Sequence, residues 1–222
     1  DTLNIDERLL EPVLAACRRP RAVVAVHYAG VGCEMEELGR ITARRGLVLV
    51  EDNAHGLFGR YRGRPLGSFG SLATLSFHET KNFTCGEGGA LLVNDAAFIE
   101  RAEILRDKGT NRRNFLRGAV DKYTWVDLGS SFLLSDLLAA FLFAQLEARQ
   151  EILAKRRRLW DAYRSALTGW AARNQFGLPC VPSDCEQSYH MFYLLAPSQE
   201  VRDGLINHLK ARQILAVFHY QP

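Results

Sequence analysis

Ser76-Phe77-His78-Glu79-Thr80-Lys81-Asn82-Phe83-Thr84-Cys85-Gly86-Glu87-Gly88-Gly89 is the stretch on which the reading of the fold turns. The apolar runs Leu72 to Leu75 before it and Ala90 to Val93 after it read as strands, which places the lysine in the loop between them. Three glycines fall within four positions of that loop. Glycine lets backbone approach a ligand closely and adopts positive φ at little cost. A lysine among apolar strands suits a Schiff-base nucleophile, because desolvation disfavours the ammonium form and frees the amine. Taken alone, such a lysine is more often a solvated side chain of a glycine-rich hairpin, since strongly buried lysines are rare.

Asp52 changes that balance. It ends the run Leu47-Val48-Leu49-Val50-Glu51-Asp52, whose leading apolar residues suit a strand buried on both faces of a parallel sheet. Ligands of such sheets bind beyond the carboxyl ends of the strands. A carboxylate there, with a lysine on a neighbouring strand end, is the pair a pyridoxal phosphate enzyme needs. The lysine carries the cofactor, and the acid keeps the pyridine nitrogen protonated. As an isolated residue Asp52 reads equally well as an N-cap for the segment after the strand.

Outward from this pair, strands and helices alternate. Asp6 opens a helix with Leu9, Leu10, Val13, Leu14 and Cys17 at helical spacing, closing before Pro20. A strand is expected over 22–27, a helix over 33–45 with Gly46 as its C-cap, and the strand ending at Asp52 completes a β-α-β unit. Residues 60–65 read as a surface turn, whose Arg60, Arg62 and Arg64 are either solvated or touch a phosphate. Asp95 caps a helix through Leu105. From 108 to 134 periodicity stops, and the stretch carries Arg112, Arg113, Arg117, Phe115, Tyr123 and Trp125. A loop of that length is functional or disordered, and its aromatics argue against disorder. A helix is expected from 135 to 167, an irregular segment over 169–188, strands over 191–195 and 215–220, and a helix over 201–210. The expected organisation is a large cofactor-binding domain over 1–135, a linking helix over 136–167, and the start of a small α+β domain over 168–222.

Composition excludes several classes. The chain has 222 residues, 47% hydrophobic and 24% charged, enough for one large core or two small ones. A net charge of +3 is too weak to point to a nucleic-acid or membrane partner. No apolar run approaches a transmembrane helix and no signal peptide opens the sequence. Five cysteines, at 17, 33, 85, 180 and 185, lack metal-ligand spacing, so reduced cytoplasmic thiols and no metal are expected.

Glu-Asp-Asn-Ala-His at 51–55, Ser-Phe-His-Glu-Thr-Lys at 76–81 and Gly-Glu-Gly-Gly at 86–89 resemble the nucleotide-sugar aminotransferases, which are fold type I pyridoxal phosphate enzymes. The likeness extends to Val-His-Tyr-Ala-Gly at 26–30, Lys-Gly-Thr-Asn-Arg at 108–112, Asp-Lys-Tyr-Thr-Trp at 121–125, Leu-Gly-Ser-Ser-Phe-Leu-Leu-Ser-Asp at 128–136, His-Met-Phe-Tyr at 190–193 and Val-Phe-His-Tyr at 217–220. The resemblance implies an α/β fold with a mainly parallel, mixed sheet and helices on both faces. It makes Lys81 the cofactor-bearing lysine and proton-transfer base, and Asp52 the partner of the pyridine nitrogen. It sets His55 against the ring and Ser76 on the cofactor phosphate, with His78 behind them. Ser131 would reach a partner subunit's phosphate in a homodimer whose interface includes 108–134. Dehydratase relatives carry histidine where Lys81 stands, so lysine favours transamination. The expected reaction moves an amino group from L-glutamate to a nucleotide-linked keto sugar, dTDP-4-dehydro-6-deoxyglucose in the branch the later motifs favour, for surface polysaccharide such as enterobacterial common antigen. The alternatives are a lyase or desulfurase of the same fold acting on an amino acid, which would use a mobile cysteine, or a non-catalytic fragment. The ends, without an initiator methionine and stopping after a strand-like run, read as those of a fragment.

Overall fold

The computed structural model describes residues 2–219. Helix α1 (Glu7–Ala16) starts at Asp6, whose side chain accepts the N–H of Arg8 at 3.0 Å, the N-cap read from the sequence. Strand β1 (Ala22–Val26), helix α2 (Met35–Arg44) and strand β2 (Val48–Asp52) form the parallel β-α-β unit. The turn at 60–65 is a small hairpin of β3 (Arg60–Tyr61) and β4 (Arg64–Pro65). Strand β5 (Leu72–Ser76) returns parallel to β2, and β6 (Gly89–Val93) runs antiparallel to β5. The main sheet is therefore mixed, in the order β1-β2-β5-β6, and the lysine loop joins its antiparallel pair.

Helices α1 and α2 cover one face of this sheet. Leu10, Leu14, Met35, Leu38 and Ile41 pack there on Val23, Ala25 and Leu49 in one buried cluster. On the other face Val24, Val26 and Leu91 are exposed.

Glu51 and Asp52 are neighbours on β2, and successive strand side chains point to opposite faces. Glu51 points into the core and is fully buried with His27. The Cys33 N–H donates to His27 Nδ1 at 3.2 Å, so that nitrogen carries no proton, and Nε2 donates to Glu51 at 2.9 Å. The Glu51 carboxylate also accepts the N–H groups of Gly67, Phe69 and Gly70 at 2.7, 2.6 and 2.7 Å. It thereby holds the turn that starts β5 in register. Burial pushes this carboxyl up, but the hydrogen bonds from His27, Gly70 and Gly67 outweigh it and hold it below the ordinary value. A glutamine here would turn its NH₂ toward two N–H donors in either orientation. Glu51→Gln should therefore cost on the order of 3 kcal/mol near neutral pH. The contribution is present above the unfolded carboxyl's pKa of about 4.3 and is lost as pH falls through the lower folded value, so the gap between variant and parent should narrow in acid. Urea melts of both proteins across that range measure it, and equal neutral-pH stabilities would rule it out.

Beyond the sheet come α3 (Ile99–Arg106), reached through a turn capped by Asp95, and a short α4 (Arg112–Leu116). Thus 108–134 is partly ordered, with Asp107 bridged to Ser131 and Thr110 to Trp125. The helix expected over 135–167 is two helices, α5 (Asp136–Glu147) and α6 (Arg149–Asn174), separated at Ala148. The break turns Leu142 and Leu146 on one side and Ile152 and Leu153 on the other onto the same cluster around Phe77, Phe83 and Cys85. Helix α6 runs past Gly169, expected to be irregular, because buried Ala171 and the Trp170–Phe176 ring contact at 4.8 Å outweigh the glycine's helix cost of about 1 kcal/mol.

Strand β7 (Cys185–Glu186) joins the β3–β4 hairpin, and α7 (Gln199–Lys210) is the last helix, starting two residues earlier than expected. The strand expected over 191–195 is absent apart from one bridge between Gly177 and Leu195. The one expected over 215–220 is not formed at 215–219, and Tyr220 lies outside the described residues. Both segments have strand-like composition, but a strand also needs an edge to pair with. Among the described residues, no helix is long and apolar enough to cross a membrane, and no cluster of His, Cys, Asp and Glu could hold a metal.

Candidate active site

The carboxyl ends of β1, β2 and β5 lie together because these strands are parallel. Asp52 is in register with Thr74 of β5, so Ser76, two residues on, shares its face and lies just beyond it. Asp52 accepts the Ala54 N–H at 3.1 Å, which turns the chain sharply and carries His55 back over the strand ends. The lysine loop leaves β5 at Ser76, and the Phe77 carbonyl accepts the Cys85 N–H at 2.9 Å to close it. Phe83, almost fully buried, anchors that loop against Phe58 with ring centroids 5.2 Å apart.

These constraints bring Ser76, Lys81 and His55 to one recess, with Ala54, Leu57, Asn82, Phe83 and His190 as its other walls. Its enclosed space is narrow, about 10 Å³, so a cofactor-sized group needs its open side. Burial lowers the Lys81 pKa, Asp52's charge opposes this, and burial prevails. His55 is lowered to about 4, by burial first and by the Lys81 charge second. His55 is thus neutral at neutral pH, and its buried Nδ1 has no hydrogen-bond partner among the described residues.

This set fits pyridoxal phosphate: a lysine biased toward free amine, a carboxylate acting on it, a strand-end hydroxyl, and an unpaired ring nitrogen at the same recess. Ser76 Oγ accepts the His78 N–H weakly, at 3.4 Å, and its own O–H remains to donate. Two residues named from the sequence are not brought there. His78 instead meets Thr80 Oγ1 at 2.9 Å. Ser131 is exposed beside Asp107 at the end of α3. Cys85 is buried, and burial pushes its thiol up, which disfavours the nucleophilic thiolate a desulfurase would need.

A larger recess of about 290 Å³ lies elsewhere, between α2 and the β3–β4 hairpin. Its arginines are already engaged, Arg62 by Glu36 and Asp184, and Arg64 by Ser68. Neither is therefore free for the phosphate contact considered for that turn.

Sequence reading missed His190 as a wall of the site. The sequence offers His190 only as the first residue of the His-Met-Phe-Tyr motif, just before the strand expected over 191–195. Its ring stacks on His55 with centroids 4.2 Å apart and planes 21° apart.

The chain is 34% identical over 219 residues to the dTDP-3-amino-3,4,6-trideoxy-alpha-D-glucose transaminase of Streptomyces venezuelae, covering 97% of this chain and 54% of that protein. Among solved structures, S. venezuelae DesV in complex with a ketimine intermediate matches with a TM-score of 0.80 at 35% identity, over 98% of this chain and 54% of that one. The aminotransferase TlmJ from Streptoalloteichus hindustanus matches with a TM-score of 0.87 at 26% identity, over 100% of this chain and 57% of that one. The chain thus spans about half the length of the curated relatives it matches. Pyridoxal phosphate is the cofactor of these relatives' family. The family model for DegT/DnrJ/EryC1/StrS aminotransferases matches residues 1–222, and the chain belongs to that family.

Proposed function

We propose that the protein carrying this chain is a pyridoxal phosphate-dependent aminotransferase that moves an amino group from L-glutamate to a nucleotide-linked keto sugar. The observation that carries this reading is Lys81, with its amine favoured by burial, in one recess with Ser76 and His55 and under the field of Asp52. When bound, the cofactor supplies an electron sink for the carbon from which a proton is removed. Lys81 then holds the cofactor and carries that proton at Nζ. Burial lowers its pKa below that of an ordinary lysine, which favours the basic form a general base requires. Asp52 keeps a positive charge beside its carboxylate, where the pyridine nitrogen would sit. Ser76 would donate its O–H to the phosphate, and His55, neutral and unpaired at Nδ1, would face the ring without competing for a proton.

The favoured substrate is dTDP-4-dehydro-6-deoxyglucose, on the branch motifs at 108–136 and 190–193, with the product serving surface polysaccharide. A dTDP-3-keto sugar belongs beside it in the assay, because the Streptomyces relative is a 3-amino-sugar transaminase. We place the enzyme in the cytoplasm and as a homodimer. Trp125, Leu128 and Phe132 support the dimer, being 80%, 85% and 69% exposed in a stretch that is otherwise held in place. Apolar side chains so exposed mark an interaction surface. Ser131, next to Phe132, would then act toward the partner's site. The large domain over 1–135, the linking helix and the start of a small domain stand as the organisation that goes with this reading.

The test uses the full-length protein. Incubation with pyridoxal phosphate, borohydride reduction and peptide mapping should fix the cofactor on Lys81. Glutamate should then release 2-oxoglutarate, and the keto sugar should be aminated. Cofactor on Lys108 or Lys122, or on no lysine, would refute the assignment.

A further inference from the structure

One short segment from the far end of the chain touches every loop of the site. Ser188 is buried, its N–H donates to the Gly30 carbonyl at 3.1 Å, and its hydroxyl donates to the His55 carbonyl. Its own carbonyl accepts Asn82 Nδ2 at 2.8 Å. Gly30 is required for this contact: its φ is +85°, and a Cβ there would meet Ser188 Oγ at 1.9 Å.

Tyr189 comes next with φ at +55°, an uncommon conformation for a non-glycine residue. The segment is held in that conformation from outside. Arg156 of α6 donates to the carbonyls of Tyr189 and His190 at 3.1 and 2.7 Å, and the Tyr189 ring meets Trp160 edge-on at 6.1 Å. Strain persists where the surroundings over-determine it, and it marks functional segments.

The consequence is the placement of His190. Asn82 uses its NH₂ on Ser188, so its Oδ1 is the acceptor for His190 Nδ1–H at 3.0 Å. Asn82 is the residue directly after Lys81. The opposite contact of the same ring is its stack on His55.

We propose that His190 is a positioning residue of the lysine site, fixing the backbone that bears Lys81 through Asn82 and closing the recess to water by backing His55. The proposal rests on the reading of Lys81 as the cofactor lysine, and it adds a second function for the 188–190 segment. The ring is suited to it. Burial, with His55 and Lys81 next, lowers His190 to about 3, so it stays neutral and brings no charge against the amine. Asp52 and His55 are the titratable groups set against Lys81, and Arg156 and His219 bear on His190 from α6 and the C-terminal segment.

Two variants in the full-length protein test the two contacts. The first readout needs no cofactor: the pH dependence of acetic anhydride labelling at each lysine, measured by mass spectrometry, with exposed Lys108 and Lys122 as internal references. His190→Ala admits water, so the Lys81 titration should move up toward that of an ordinary lysine while the references stay in place. His190→Phe keeps an aromatic ring against His55 but cannot donate to Asn82. It should keep the low Lys81 titration and still lose about 10²-fold in kcat, with KM for the keto sugar little changed, because the lysine is misplaced rather than the substrate lost.

Asn82→Ala should reproduce the kcat loss of His190→Phe, and the double variant should be no worse than either single one. An unmoved Lys81 titration in His190→Ala, or wild-type kcat in His190→Phe, overturns the proposal. If His190→Ala does not fold, His190→Phe decides alone. Failure of borohydride fixation on wild-type Lys81 would overturn the functional reading instead, so the two failures are told apart.

Discussion

Lys81→Ala should leave a folded protein that no longer transaminates. Among the described residues, Lys81 Nζ makes no hydrogen bond or ion pair that holds another element, and its burial already disfavours its charge. Its loss should change stability by no more than about 0.5 kcal/mol, as for substitutions away from packed features. Activity should fall by more than the roughly 10²- to 10⁴-fold that one general base contributes, because the covalent hold on the cofactor disappears with the base. Cofactor should still bind weakly through Asp52 and Ser76, and should wash out on dialysis. Thermal melts, dialysis and single-turnover assays check the three parts. Retained turnover within tenfold would remove Lys81 from the mechanism.

Asp52→Asn should be nearly as severe by another route. The amide oxygen can still accept the Ala54 N–H, so the turn carrying His55 survives. What is lost is the negative charge. The pyridine nitrogen would no longer be held protonated, and the cofactor would stabilise a carbanion poorly. A loss of about 10²- to 10⁴-fold in kcat is expected, with the cofactor still fixed on Lys81 by borohydride.

The charge change has a second, signed consequence. Asp52 raises the Lys81 pKa against burial, so its removal should lower the Lys81 titration further. His190→Ala should move the same titration up. Opposite shifts at one amine from two neighbouring substitutions would be hard to obtain from general loosening of the site. An upward shift in Asp52→Asn would mean that water entry, not charge, governs Lys81.

Much of the core is legible in the sequence. The N-caps at Asp6 and Asp95, the parallel strands ending at Val26 and Asp52, and the loop at Lys81 depend on interactions within a few residues. Helical spacing, strand composition and capping side chains write those interactions directly into short windows. Asp52 and Lys81 stood out because each lies at or past a strand end, and parallel strands bring their carboxyl ends together, while His55 and Ser76 came only with the motifs at 51–55 and 76–81 that carry the family resemblance. The two absent strands failed for a complementary reason. Val-Phe or Met-Phe-Tyr-Leu-Leu states that a segment tolerates extended backbone, while pairing depends on what lies alongside it.

What the sequence by itself determined is the α/β class, the order of the elements as far as the lysine loop, and the pair Asp52 and Lys81 beyond the strand ends. What tertiary structure alone decided is how those residues are held. Glu51 and Asp52 are adjacent acids in one motif, yet strand alternation sends one into the core to organise β5 and the other to the recess. The contacts from Ser188 and His190 to Asn82, 106 and 108 residues away, and from Ser188 to His55, 133 residues away, have no local signature. A hydrogen bond across such a separation exists only once the core has set both segments in place, so no window of sequence could encode it.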